Sequence, residues 1–220
     1  MKLKDIIMKQ DKTDEFCVSC FEKINLNPFR EIIENNPILC DKCISQVKTR
    51  LSIEKINGIY VLFLGDYDGI MKTWLMNFKE YGDIELAKCF LSLYLPILKI
   101  LFKNYIYLPC PSSHKRNQNR GFVHLEEILK AYKFPYCLAL EKTSDEENKN
   151  QSVSQRNAVS SSIRINSNAS YLSGKKVVVF DDVFTTGNTF RSSCQAIEKI
   201  HPKKIRGLIL MKTKEPDYHL

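Results

Sequence analysis

The sequence predicts an α/β fold, a mostly parallel sheet flanked by helices, with a small metal-stapled module at the N-terminus. Three observations carry this reading. Val177 to Phe180 is an unbroken apolar run after Gly174-Lys175-Lys176, the mark of a strand covered on both faces. It runs into two adjacent acids, Asp181 and Asp182, and a turn of small polar residues, and helical periodicity resumes at Phe190. Cysteines stand as two Cys-x-x-Cys pairs, Cys17 with Cys20 and Cys40 with Cys43.

The paired cysteines place a metal module over residues 1–45 and leave 46–220 for the α/β domain. Each pair lets two sulfurs converge from a tight turn on one ion, and this spacing is that of a four-thiolate zinc site. A disulfide framework would need an oxidising compartment, and Met1 to Phe16 alternates charges with few apolar residues, unlike a secretory leader. The expected location is therefore cytoplasmic. Cys89, Cys110, Cys137 and Cys194 show no ligand spacing and are read as small buried hydrophobes.

Past the module, Gly58 to Leu64 is a strand candidate. Asp68-Gly69 then precedes an amphipathic helix, Ile70 to Tyr81, with Ile70, Trp74, Leu75 and Phe78 near one face. Asp83 to Tyr105 is apolar, but its longest uncharged run, Cys89 to Leu98, is far short of the roughly twenty residues a membrane span needs. It is expected to be a core helix, bent or interrupted at Pro96. Tyr105 to Leu108 is the next strand, ending in Pro109-Cys110-Pro111. A polar loop is expected from Ser112 to Arg120, then a helix from Val123 to Tyr132. Residues 142–170, rich in Ser, Asn, Lys and Glu, are expected to be a mobile loop. The last strand–helix–strand unit runs from Lys176 to Met211, its helix stopped near His201-Pro202.

The turn after the acids carries the chemistry. Thr185, Thr186, Gly187, Asn188 and Thr189 put backbone N–H groups and three hydroxyls at a helix N-terminus, where free donors and the helix dipole favour a dianionic phosphate. Asp181 and Asp182 lie toward the carboxyl end of the strand, the usual ligand side of an open α/β sheet, where carboxylates accept from vicinal hydroxyls. Helix capping accounts for Thr189 alone and not for two acids and five small residues. The net charge of +8 suits an anionic ligand or nucleic acid, yet the basic residues are scattered along the chain.

In these thirteen positions, Val177 to Thr189, the chain resembles the type I phosphoribosyltransferases, whose ligand is phosphoribosyl pyrophosphate (PRPP). The resemblance implies that Asp181 and Asp182 contact the ribose hydroxyls and that Thr185 to Thr189 hold the 5′-phosphate. Pro109, Cys110, Pro111 and Ser112 resemble the pyrophosphate loop, with Arg116, Arg120 and Arg156 as further pyrophosphate candidates and Mg²⁺ as the companion ion. With the cysteine pairs, and with Tyr67-Asp68-Gly69, Phe78-Lys79 and Arg120-Gly121-Phe122, the resemblance extends to the ComF-like competence proteins. These join a four-Cys zinc module to a phosphoribosyltransferase domain. One departure is Val159, where a family Asn after Gln151 and Arg156 is expected.

This resemblance implies a PRPP-binding protein serving DNA uptake in natural transformation, with single-stranded DNA or other competence proteins as partners. A salvage phosphoribosyltransferase for a nucleobase is a second reading. A DNA-docking zinc module with PRPP as a sensor ligand is a third. No residue identifies an acceptor or a catalytic base. Lys72 and Lys79 are expected to be solvated helix charges, and His114, His124, His201 and His219 structural or surface residues. Residues 142–170 are a candidate lid.

Overall fold

A computed structural model of the chain describes residues 16–25, 37–142 and 163–213. Its centre is a five-stranded sheet, taken here in chain order. Helix α1 (Asp41–Ser45) follows the second cysteine pair and leads into β1 (Thr49–Ile56) and β2 (Ile59–Asp66). Helix α2 (Gly69–Glu80) is followed by two 3₁₀ turns, Ile84–Lys88 and Ser92–Tyr94, and by α3 (Leu95–Leu101). Then come β3 (Tyr105–Pro109), α4 (His114–Arg120) and α5 (His124–Ala131). The short strands β4 (Leu140–Lys142) and β5 (Ile163–Ile165) pair antiparallel beside a 3₁₀ segment, Ser167–Leu172. Strand β6 (Lys176–Phe184), α6 (Asn188–Glu198) and β7 (Lys204–Lys212) complete the domain.

The strand order is β1-β2-β7-β6-β3, parallel except for the antiparallel β1–β2 pair. Val177 to Phe180 is fully buried, as its apolar run predicts, because β6 lies between β3 and β7 with helices on both faces. Parallel neighbours bring the carboxyl ends of β2, β3, β6 and β7 to one edge. That edge carries Asp66, Pro109, Asp181 and Lys212.

Several expectations need correction. Strand β1 has no apolar run because it is an edge strand with exposed alternate positions, and it joins β2 through Asn57-Gly58. Both turn residues have positive φ, 46° and 85°, the geometry of a two-residue hairpin turn. The segment from Asp83 to Tyr105 is not one helix. It breaks into 3₁₀ turns, and Pro96 lies in the first turn of α3, where its missing N–H costs nothing. Ser112 to Arg120 is not a loop, since His114–Arg120 is helical, capped by the Ser113 hydroxyl accepting from the Arg116 N–H and closed by left-handed Gly121. Part of 142–170 is regular structure, namely β5 and the 3₁₀ segment; residues 143–162 lie outside the described residues.

The core joins both faces of the sheet. On one side Phe78 meets Phe90 and Phe122 at ring distances of 5.6 and 5.2 Å, and Trp74 meets Phe90 edge-on at 6.4 Å. On the other, Phe190 of α6 sits over Gly207 of β7, where a Cβ would come within 2.7 Å of the ring and 2.8 Å of Val61. The bare glycine lets α6 settle on the sheet and so fixes where its N-terminus points. Gly207→Val should therefore destabilise by about 1–3 kcal/mol through overpacking. At roughly 2–4 °C per kcal/mol for a chain of this size, a clear fall in melting temperature is expected. An unchanged melting curve would contradict this packing.

Candidate functional site

The turn between β6 and α6 leaves the N-terminus of α6 open, an arrangement able to accept an anion. Gly187 caps α6 in the left-handed region with φ 74°, and a Cβ there would stand 2.3 Å from the Phe184 ring. No side chain caps the helix, so the N–H groups of its first turn keep their capacity for an anion. Thr185, Thr186 and Asn188 are exposed and Thr189 is half-buried. The Arg191 guanidinium donates to the Thr186 carbonyl and lies 5.8 Å from the Phe184 ring, bracing the turn from behind. Regularity begins at Asn188, two residues before the first apolar position.

The two acids occupy different environments, because successive strand residues point to opposite faces. Asp182 is buried at 6% exposure. Its Oδ2 takes the Lys79 ammonium of α2 and, at 2.6 Å, the Nε2 of His124 at the start of α5. His124 is buried in turn, and its Nδ1 meets an Arg120 guanidinium nitrogen at 3.1 Å and the Ser112 hydroxyl at 3.4 Å. A guanidinium only donates, so Nδ1 is the acceptor and Nε2 carries the proton toward Asp182. Arg120 closes the circuit by donating from Nε to the Lys79 carbonyl at 3.0 Å.

The titration of these groups follows from that circuit. Burial alone would raise the Asp182 carboxyl, but the His124 hydrogen bond and the Lys79 charge outweigh it and hold the group well below the usual carboxylate range. Burial pushes the His124 imidazole down against the pull of Asp182, in keeping with a neutral ring fixed in one tautomer. For Asp181, burial and the neighbouring Asp182 charge push the carboxyl up to about 7, and its Oδ1 accepts the Asp182 N–H at 3.0 Å.

A polar cavity of about 380 Å³ adjoins this circuit, walled by Lys79, Tyr81, Arg116, Asn119 and Arg120 together with Glu80. Three cations against one acid make it an anion-accepting space. The loop Pro109 to Ser112 runs past β6, with the Cys110 N–H donating to the Phe180 carbonyl at 2.8 Å and Ser112 reaching His124. The fold thus gathers Asp181, Asp182, Ser112, Arg116 and Arg120 at one end of the sheet. Arg156, with Gln151 and Val159, lies outside the described residues, as does His219.

One reading of a single residue is overturned. Lys79 is not a solvated helix charge, since its side chain is 22% exposed and ion-paired, whereas Lys72 is exposed as expected. His124 takes the structural of its two expected roles: it is buried and links three elements to Asp182. The signal was its place on α5: His124 shares a face with Ile128, a core position, so a titratable ring was aimed inward. His114 and His201 are exposed. Cys89, Cys110 and Cys194 are buried, but Cys137 is only partly so.

Cys17, Cys20, Cys40 and Cys43 form one cluster, with all four sulfurs within 4.8 Å of one another. Cys20 and Cys40 sulfurs are 3.6 Å apart. A tetrahedron with Zn–S bonds of about 2.3 Å has sulfur–sulfur edges of about 3.8 Å, so the donor set fits zinc. Trp74 of α2 donates from its indole nitrogen to the Ser19 hydroxyl at 2.7 Å, seating the cluster against the helix that carries Lys79. Among the described residues no helix is long and apolar enough to cross a membrane.

Comparison with known proteins agrees with this geometry. The phosphoribosyl transferase domain family matches residues 118–219. Competence protein ComFC of Streptococcus pneumoniae is 30% identical over 146 residues, covering 66% of this chain and 65% of that protein. Competence protein ComFC of Bacillus subtilis is 22% identical over 201 residues, covering 87% of this chain and 80% of that one. With the four-cysteine cluster in place, that decides the family. The chain is a ComF-like protein. Its fold is that of the type I phosphoribosyltransferases with a small N-terminal four-cysteine module. A hypoxanthine phosphoribosyltransferase structure from Staphylococcus aureus overlays loosely, with a TM-score of 0.37 at 10% identity over 59% of this chain and 66% of that one.

The ComF-like site has a pH signature. A carboxyl whose folded pKa exceeds its ordinary value binds a proton on folding, so its contribution to stability falls as pH rises from 3.8 to about 7 and stays lost above. The lowered groups, Asp182 and His124, act in the opposite sense and withdraw stability as pH falls. Asp181→Asn should therefore melt higher than wild type at a pH of about 8, the gap closing toward about 5. A melting series across that range tests this, and a gap of constant size would contradict it.

Proposed function

We propose that this protein binds PRPP with Mg²⁺ and acts in DNA uptake during natural transformation. The turn from Thr185 to Thr189 takes the 5′-phosphate, and Asp181 and Asp182 take the ribose hydroxyls. Pro109 to Ser112, with Arg116 and Arg120, receive the pyrophosphate. The observation that carries the reading is the uncapped N-terminus of α6, braced by Gly187 and Arg191, in the turn that follows the two acids near the end of β6. The competence role rests on the likeness to the two ComFC competence proteins. Single-stranded DNA and other competence proteins are the proposed partners, in the cytoplasm. Residues 1–45 serve as the zinc module and 46–220 as the phosphoribosyltransferase-like domain.

Mg²⁺ would neutralise the pyrophosphate charge, and the chain's own cations would orient it. Turnover needs an acceptor that reaches the sugar carbon, and the proposal is for binding. Calorimetry and melting with PRPP and Mg²⁺ test it. A ligand at a hundredfold excess over Kd stabilises by about 2.7 kcal/mol, a rise of several degrees here. Replacing both acids by Asn should abolish the rise while sparing inorganic phosphate. Gly187→Val, which drives a side chain into the Phe184 ring, should weaken both ligands. No shift at millimolar PRPP would defeat the reading.

We also propose that Cys17, Cys20, Cys40 and Cys43 hold one structural zinc per chain. Such sites supply about 10–16 kcal/mol of apparent folding free energy in small modules. Cys40→Ser should lose metal and soluble yield together. Purified protein with less than half an equivalent of zinc, without chelators, would contradict the assignment.

A further inference from the structure

Two donors share one oxygen of Asp182, and they differ in their freedom to leave. His124 is 4% exposed, and both of its ring nitrogens are engaged, Nε2 by Asp182 and Nδ1 by Arg120 and Ser112. The Lys79 ammonium pairs with Asp182 and lines the basic cavity of about 380 Å³ with Arg116 and Arg120. An anion in that cavity competes directly with Asp182 for the Lys79 ammonium. A carboxylate bound by both donors has its acceptor capacity drawn toward the protein, away from a sugar diol.

We propose that Lys79 is a specificity-determining residue that exchanges its ion pair with Asp182 for an anionic group bound in the adjacent basic cavity, while His124 acts as the positioning residue that keeps Asp182 oriented. Filling the cavity with a diphosphate then releases Asp182 toward the sugar hydroxyls. The site reads both ends of its ligand together and discriminates against a sugar phosphate lacking the second anion. His124 stays on Asp182 throughout, because leaving would strand a buried ring nitrogen and a buried carboxylate at once. This inference rests on the PRPP reading above, and PRPP itself provides the control that separates the two.

The experiment uses the full chain with ribose 5-phosphate and methylene diphosphonate, titrated calorimetrically alone and together with Mg²⁺. In wild type the diphosphonate should tighten ribose 5-phosphate at least about fivefold, the lower end of typical coupling between sites. Lys79→Met removes the exchangeable cation, so ribose 5-phosphate should bind equally well with or without the diphosphonate. His124→Ala should weaken ribose 5-phosphate and PRPP. His124→Gln, whose amide nitrogen can stand where Nε2 stood, should restore them, a rescue that general loss of packing would not give. PRPP binding without coupling between the two fragments, or coupling that survives Lys79→Met, overturns the exchange. His124→Gln behaving like His124→Ala overturns the positioning role. Failure of wild type to bind PRPP overturns the underlying reading as well.

Discussion

The buried carboxylate of Asp182 is the constraint on which the site depends. A charge at 6% exposure persists only if it is paired and hydrogen-bonded; its two direct partners, Lys79 and His124, come from separate helices, and Arg120 joins those two from a third. Lys79 closes α2, Arg120 closes α4 and His124 opens α5, while Asp182 belongs to the central strand. Satisfying one carboxylate therefore fixes the helices above the sheet at the edge where the Thr185–Thr189 turn emerges. Loss of Lys79 or His124 leaves the buried carboxylate under-compensated, which is costlier than the loss of an exposed ion pair. Exposed pairs such as Lys42 with Glu22 carry no comparable role.

The parallel sheet supplies the stage. Its order puts β6 between β3 and β7, so the acids lie beside the Pro109 loop on one side and the end of β7 on the other. The same strand hands its two acids to opposite faces, and this divides their chemistry. Asp182 stays ionised within a lattice of donors, whereas Asp181, accepting its neighbour's N–H, sits near the point of protonation at neutral pH. Adjacent identical side chains are thus shifted in opposite directions by their surroundings.

Much of this was legible in the sequence where chemistry and periodicity coincide. The run from Val177 to Thr189 revealed its strand, its turn and its helix because burial, acids and small residues fall in one continuous stretch. The cysteine pairs revealed their cluster because metal ligation demands spacing. What stayed hidden depends on tertiary partners. The charge of Lys79 looks solvated until β6 is placed beside α2, and His124 looks like an ordinary first-turn residue until Asp182 lies beneath it. Strand β1 was missed because edge strands need no apolar run, although Asn57-Gly58 marked the turn. The Asp83–Tyr105 segment carries enough apolar residues for a helix but no consistent face, so the chain breaks there into short turns.

Helix α2 touches both centres of the molecule. Trp74 holds the Ser19 hydroxyl of the cysteine module, and five positions on, Lys79 holds Asp182. At about 1.5 Å of rise per residue the two contacts are only about 7–8 Å apart along a rigid rod. A helix this short between its attachments works as a lever with little give. The cysteine module and the Asp182 network are thus pinned to one short rod, so the position of either end constrains the other.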